Sequence, residues 1–536
     1  MAISPSSVLL GFLPIIGYII YQQTLKKQHN RPPGPKPLPL LGNINDFPPD
    51  GVPEHQHWAK HGALYGDVTS VTVLGMTLVI IHDTKAAHEL LENLSSNTSG
   101  RPSMVMALEL CGGENVVICQ DYNARFHRFR KYLHRELGTV VSAAQFREVQ
   151  EIEIRRLLVR GLREPEKWLE HLKTMAAATV LKMAYGYNIE PHGPDPLVQL
   201  VERMMVEFSH AAVPMSWAVD IIPALKHLPE NFPGATFKKT ARKYKSTFDA
   251  AGHIPYRFVR RQMAAGTNQP SYVSKLVHQL TDPSTGTLSP EDEHAIIWTA
   301  TSLYGASSDT TVITLTSFVL AMLQFPNVQS EAHAELDRVL GPGPARLPTF
   351  SDRENLPYID ALVKEAMRWW PMAPMGFPHT ATEDVEYNGM HIPKGALLLP
   401  AVHTFFHDPV VYKDPETFDP DRFLPPRNEP DPGDHAFGYG RRTCVGRHFA
   451  DASLFLSIAA SLAVFRFCKV RDEQGREEDV HAVKPRPGVL MYPGEFGVRV
   501  EVRGEQAEGL IRGVEREWPW EESDAGLLEK VDGFKV

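Results

Sequence analysis

The sequence predicts one large, mainly α-helical body with a small β region, behind an apolar N-terminal segment. Three observations carry this. Helix-length stretches with three- and four-residue apolar spacing dominate the middle of the chain. The β-branched runs are few and short, at Tyr65–Asp83, Val385–Ile392, Ala396–Ala401 and Val498–Val502. No Gly/Ser linker and no internal repeat separates independent bodies among the 536 residues. The composition, 43% apolar and 22% charged, is that of a folded chain and excludes wholesale disorder. Four cysteines are too few for a disulfide scaffold. A net charge of −9 without a long basic block excludes nucleic acid as the main partner.

The first element is Val8–Tyr21, fourteen residues without a charge, inside an uncharged stretch from Met1 to Thr24. A spanning helix wants roughly 20 residues, which Ser4, Ser6 and Ser7 help to supply. A cleaved signal peptide would carry basic residues ahead of the apolar run, and none precedes Lys26. Lys26, Lys27 and Arg31 follow it, so residues 1–25 read as a transmembrane signal anchor with the bulk of the chain in the cytosol. Residues 26–43 form a hinge with five prolines in the nine positions from Pro32, a stiff strut suited to orienting the body against the bilayer. The sequons at Asn93 and Asn97 are chance matches under this topology.

The body spans residues 44–502. Tyr65–Asp83 reads as a β-hairpin with Gly75 at the bend. Helices are expected at Ala86–Asn93, Asp121–Leu137, Ala144–Leu162, Glu166–Tyr185, Leu197–Phe208, Ala241–Met263, Glu291–Phe325, Gln329–Leu340 and Tyr358–Trp370. The apolar, proline-punctuated Val213–Pro229 is either a plain helix connection or a patch that dips into the membrane beside a ligand entrance. Residues 503–536 form a charged tail without a clear period, of unassigned role.

The chemistry concentrates at Phe437–Gly446, FGYGRRTCVG, ahead of a helix-forming run from Arg447 to Phe465. Phe449, Ser453, Leu456, Ala460 and Ala463 give that run one buried face. Cys444 therefore sits at a helix entrance, where free N–H groups favour a thiolate. Gly438, Gly440 and Gly446 permit tight turns, and Arg441 and Arg442 bring positive charge suited to carboxylates. A thiolate in such a loop is what a haem iron with an axial cysteine needs. Cys111, Cys119 and Cys468 have no comparable surroundings and read as core residues.

This loop resembles the haem-binding signature of the cytochrome P-450 superfamily, F-x-x-G-x-R-x-C-x-G, with Phe437, Gly440, Arg442, Cys444 and Gly446 at every fixed position. The resemblance runs from about Arg31 to Val502 plus the anchor. Its detail is most similar to fungal microsomal members, in particular those like O-methylsterigmatocystin oxidoreductase. It implies the P-450 fold with an N-terminal membrane-anchor helix, and haem b with Cys444 as the metal ligand. It also implies a buried structural network of Glu365, Arg368 (E-x-x-R) and Arg422 in FDPDRF. Gly305–Thr311, GASSDTT, is similar to the oxygen-activation segment, which makes Asp309 and Thr310 the proton-delivering pair, with Ser307 where the family prefers Gly. The family's W-x-x-x-R maps to Phe126 and Arg130. Arg130 can still hold a haem propionate, whereas Phe126 has no N–H to donate and serves as packing. His379 matches a second propionate contact, and Tyr304, Ala306, Ser307 and Met375 fall on the substrate-pocket wall.

The implied activity is a monooxygenase that inserts one atom of dioxygen into an apolar small molecule, a secondary metabolite or a xenobiotic. No flavin or nicotinamide fingerprint is present, so NADPH-derived electrons would come from a separate NADPH-cytochrome P-450 reductase, with cytochrome b5 as a further donor. The basic helix with Arg125, Arg128, Lys131 and Arg135 suits such an acidic partner. The expected location is the endoplasmic reticulum membrane, single-pass, in contact with lipid. Two alternatives stand beside this: a peroxygenase or peroxide isomerase of the same fold, and a haem-binding protein without turnover.

Overall fold

The computed structural model describes residues 30–39, 41–49, 51–213, 217–486 and 488–534. The expected membrane anchor, residues 1–25, lies outside the described residues. The chain is mainly helical with small sheets and divides into two compact units. The smaller comprises the described residues up to Pro102, Pro374–Phe405 and Gly438–Thr443. The larger comprises Ser103–Ala373, Phe406–Phe437 and the chain from Cys444 onward.

The smaller unit carries strands β1 (Val68–Val73), β2 (Met76–Ile81), β3 (His379–Thr380), β4 (Val385–Tyr387), β5 (Met390–Ile392) and β6 (Leu397–Pro400). One sheet has the order β1-β2-β6-β3, with β2 and β6 parallel and Val79 opposite Leu398. The β1–β2 bend is Leu74-Gly75, both at positive φ (49° and 89°), the twist that a two-residue hairpin turn demands. The single strand expected over Val385–Ile392 is instead a hairpin, β4 paired antiparallel with β5. Asn388-Gly389, at φ 48° and 74°, turns it, and that dipeptide is the signal the strand reading passed over. Helix α1 (Glu54–Tyr65) places the fully buried Trp58 on this sheet beside Val71, Leu78, Ile80 and Leu399. The proline strut lies along β1: Ser70 donates through its N–H to the Pro33 carbonyl (2.8 Å) and through its hydroxyl to that of Pro32 (2.6 Å). Prolines lack N–H groups, so the strut joins the sheet through its carbonyls. A side chain at Gly34 would fall 2.0 Å from the Ser70 carbonyl oxygen.

The larger unit is built from α2 (Ala124–Leu137), α3 (Arg147–Arg163), α4 (Trp168–Tyr185), α5 (Pro196–Ala211), α6 (Thr236–Ala265), α7 (Tyr272–Leu280), α8 (Pro290–Gln324), α9 (Pro326–Leu340), α10 (Pro357–Trp369), α11 (Arg447–Val464) and α12 (Glu505–Glu517), with β7 (Phe465–Cys468) antiparallel to β8 (Arg499–Val502). Helix α8 runs 35 residues against α4 and α11. Ser289 caps it, its hydroxyl accepting from Asp292 N (3.1 Å), and Pro290 with Glu291, Asp292 and Glu293 suits the positive end of the helix dipole. It is long and apolar enough to cross a membrane, yet it is mostly buried, which is why it is apolar all round. The helix expected to reach Phe465 stops at Val464, where the chain turns into β7. Cys468, expected in the core, is half-buried there beside Glu501.

The tail is not structureless. Ala507, Ile511 and Val514 recur at four and three residues and bury one face of α12 on α3. Its many charges mask that stripe in the sequence. Of Val213–Pro229, residues 214–216 lie outside the described residues. The remainder forms a short helix at Ala218–Ile221 and a 3-10 turn at Pro223–His227. It buries Val219, exposes Ile221 and Ile222, and is tied down where Met106 N donates to Asp220 Oδ1 (2.8 Å).

Burial holds several histidines neutral. His55, His82 and His333 are each pushed from 6.5 down to about 4. Below 6.5 the unfolded chain takes up protons that the native chain refuses, so this contribution to stability is complete above 6.5 and lost progressively towards pH 4. The thermal midpoint should fall between about pH 7 and pH 5. A flat profile across that window would contradict the buried neutral state of these rings.

Candidate haem-thiolate site

The cysteine loop is shaped by its own backbone. Cys444 N donates to the Phe437 carbonyl (2.8 Å), closing the turn ahead of α11. Phe437, Cys444 and Gly446 belong to the larger unit, and Gly440 and Arg442 to the smaller. Gly440 has φ 51°, and a Cβ there would sit 2.5 Å from the Leu91 carbonyl oxygen and 2.7 Å from the Ser95 Cβ. No other residue fits without moving backbone. The Arg442 guanidinium grips the Ser99 carbonyl through Nε (2.8 Å) and Nη2 (2.7 Å).

Cys444 has an exposed surface although protein crowds its surroundings, so the sulfur is recessed and open. Burial pushes its thiol up, while the Gly446 N–H and the charges of Arg130 and Arg447 favour the thiolate. Arg130, on α2, is half-buried with its guanidinium 5.9 Å from the Phe126 ring centroid. Among the described residues it has no carboxylate partner, and burial lowers its pKa while Cys444 raises it. Phe126 is buried as a packing residue.

In the smaller unit His379 is buried, and its Nδ1 hydrogen-bonds with the Thr98 carbonyl (2.9 Å), which makes Nδ1 the donor. Burial, with Arg101 nearby, takes its pKa down to about 3, so the ring is neutral.

Helix α8 is buried from Ala295 to Gly305 and again from Val312 to Leu315, and it opens between Ala306 and Thr311. Ala306 is exposed, and Ser307, Asp309 and Thr310 are half-buried. Thr310 Oγ1 donates to the Ala306 carbonyl (3.0 Å), which leaves its lone pairs to accept. Burial pushes the Asp309 carboxyl up, opposed by the Tyr492 hydroxyl and Lys173, and Glu202 pushes it further up. The contribution of Tyr492 is visible only in three dimensions, because 183 positions separate it from Asp309. Tyr304 and Met375, expected on a pocket wall, are buried in the apolar clusters of their own units, Met375 beside Trp58.

Glu365, Arg368 and Arg422 are fully buried together. Arg368 holds Glu365 in a two-pronged pair, Nε to Oε2 (2.7 Å) and Nη2 to Oε1 (2.8 Å). Arg422 Nε (3.1 Å) and Asp419 N (2.8 Å) also donate to Glu365 Oε1. The remaining arginine donors reach the carbonyls of Phe406 (2.7 Å), Pro415 (2.8 Å) and Thr417 (3.1 Å). Glu429, which no motif marks, accepts from Arg422 Nη1 (2.7 Å) and from Arg427 Nη2 (2.6 Å).

A mainly helical body with a recessed, charge-supported cysteine at a helix mouth defines a haem-thiolate protein. The chain belongs to the cytochrome P-450 family, whose model matches residues 32–495. It is 46% identical to the cytochrome P-450 monooxygenase CLM2 of Gibberella zeae, across 98% of this chain and 99% of that one. It is 45% identical to the multifunctional cytochrome P-450 monooxygenase af510 of Aspergillus fumigatus, across 97% of each. It is 38% identical to the O-methylsterigmatocystin oxidoreductase of Aspergillus flavus, again across 97% of each. The chain is therefore an oxidoreductase of the monooxygenase type, and its family uses haem b with a cysteine thiolate, dioxygen and NADPH-derived electrons.

Removing one member of the buried network leaves an uncompensated charge, so Glu365→Ala should cost about 3–5 kcal/mol and abolish accumulation of the haem-loaded form. Glu429→Gln, at the edge of the network, should cost less and leave a folded, haem-loaded protein with a lowered melting midpoint. Equal haem content in Glu365→Ala and the parent would show that the network is dispensable.

Proposed function

We propose that this chain is a membrane-anchored haem-thiolate monooxygenase that oxidises an apolar small molecule, with Cys444 as the axial ligand. The observation that carries this is the recessed thiol itself: a Gly446 N–H on its sulfur, Arg130 and Arg447 adding positive charge, and an open surface. The donor set fits the cofactor. A single soft thiolate suits the iron, and a guanidinium without a carboxylate partner among the described residues, Arg130, suits a propionate. His379 would assist in the smaller unit by taking up a proton at Nε2 beside a carboxylate. Phe437, Gly440, Arg442 and Gly446 shape the loop.

Haem b, when bound, supplies dioxygen activation and oxygen transfer. The chain's residues would manage the protons. Asp309, its pKa raised by burial, is the acid that would pass a proton towards the open turn of α8. Thr310, its own hydrogen engaged by Ala306, accepts at Oγ1 and keeps the relay ordered. Ala306 and Ser307 line that opening, where Ser307 adds a hydroxyl.

The name of one relative, the O-methylsterigmatocystin oxidoreductase of Aspergillus flavus, supports a secondary metabolite as substrate ahead of a xenobiotic. Electrons would come from NADPH through a separate reductase or cytochrome b5, docked on the basic face of α2. The uncharged stretch to Thr24, followed by Lys26 and Lys27, supports a single-pass anchor in the endoplasmic reticulum with the body in the cytosol. Exposed Ile221 and Ile222 support a further lipid contact.

Cys444→Ala should lose the red-shifted Soret band of the reduced carbon-monoxide complex, and survival of that band would reassign the ligand. Thr310→Ala should bind haem normally but release a larger share of its NADPH electrons as peroxide, roughly tenfold more per product formed. Unchanged coupling would place the proton route elsewhere. Turnover with peroxide but not with NADPH and reductase would favour the peroxygenase alternative.

A further inference from the structure

Beyond α8 and the cysteine loop, the larger unit buries a second cluster of charges beneath its C-terminal tail. Trp520 stacks over the guanidinium groups of Arg156 (5.1 Å) and Arg160 (4.9 Å), both on α3. The Pro519 carbonyl accepts from Arg156 Nη2 (3.0 Å), and Glu153 Oε1 accepts from Arg156 Nη1 (2.6 Å). Lys182, on α4, donates to Asn188 Oδ1 (2.5 Å) and to Glu521 Oε2 (2.9 Å). All of these but Pro519 border a narrow recess of about 20 Å³.

The recess has more donors than acceptors. Arg160 is only 7% exposed and Arg156 8%. Among the described residues, Arg160 Nε, Arg160 Nη1 and Arg156 Nε have no hydrogen-bond partner. Glu153 Oε2 stands 3.7 Å from Arg160 Nη2, an ion pair without a hydrogen bond. Arg156 and Arg160 share one buried carboxylate, Glu153, which leaves one positive charge in excess on α3, while Lys182 is met by Glu521 and by the charge of Asp524. Glu521 also stands 3.9 Å from Arg156 but is 46% exposed and screened by water. Arginine does not deprotonate in proteins, so its buried charge must be met by an anion or remain a cost. A water molecule could accept two of the three N–H groups, but it brings no charge.

We propose that this recess binds a small monovalent inorganic anion of the halide type, held by the free N–H groups of Arg160 and Arg156 under Trp520. The space admits about one atom of that size and excludes phosphate esters. The anion completes the charge balance that lets the tail lie on α3, and its occupancy is independent of haem chemistry.

The test uses the full-length, haem-loaded protein in detergent at constant ionic strength. Exchanging gluconate for chloride, up to about 200 mM, should raise the melting midpoint saturably by about 1–3 °C. Arg160→Gln should abolish that rise while retaining the carbon-monoxide Soret band. Because that variant alone could misfold, crystals of the parent grown in bromide provide the second measurement, with an anomalous peak expected between Arg160 Nη1 and Arg156 Nε. No saturable chloride response, the same response in Arg160→Gln, or bromide crystals without anomalous density in the recess would each overturn the proposal.

Discussion

Four donors on the two oxygens of Glu365 set the constraint on which the larger unit depends. A fully buried carboxylate is expensive, and burial alone pushes Glu365 upward. It is held in place by Arg368 from its own helix, by Arg422, and by the Asp419 backbone. The same two arginines spend their other donors on the carbonyls of Phe406, Pro415 and Thr417. A stretch with little regular secondary structure, from Phe406 to Glu429, is thereby pinned to α10 by side chains in place of a ladder of backbone bonds. A hydrophobic core could stabilise that stretch as well. It could not fix its course with the same directionality, because hydrogen bonds to carbonyls have geometry and apolar contacts do not.

Much of this was legible in the sequence, and the parts that were not share a cause. Long apolar segments announced α4, α8 and α11, since a helix buried on several sides has no polar face to blur its ends. The ten-residue cysteine loop was legible because its glycines and arginines are demanded by backbone space and charge, as the overlap of a Gly440 Cβ with Leu91 shows. Helices α1, α7 and α12 were missed. The first is rich in histidine, the second is only nine residues long, and the third shows its three apolar anchors only when charges are ignored. Glu429 could not be read at all, because its partner Arg422 lies in a motif that does not name it.

The interrupted burial of α8 reconciles two demands on one helix. Its length buries it against α4 and α11, and a continuous apolar surface would be the most stable outcome. Instead the segment Ala306–Thr311 carries two serines, an aspartate and two threonines, all only partly covered. Polar residues there give up packing that Leu or Val would provide. Their hydroxyls limit the loss by bonding back to the helix, Ser308 to Gly305 and Thr310 to Ala306, so the opening is paid for locally and the helix stays continuous.

Burial raises the proton affinity of both Cys444 and Asp309, yet the proposed chemistry needs the first deprotonated and the second able to keep a proton. The difference lies in what surrounds each group. Cys444 faces an N–H and two arginines, and a bound metal cation would add to the same side of the balance. Asp309 has one hydroxyl and one distant lysine in its favour, with Glu202 against. A single low-dielectric interior pushes both groups towards their protonated forms; two arginines, Arg130 and Arg447, oppose that push at the sulfur, and one lysine, Lys173, opposes it at the carboxylate.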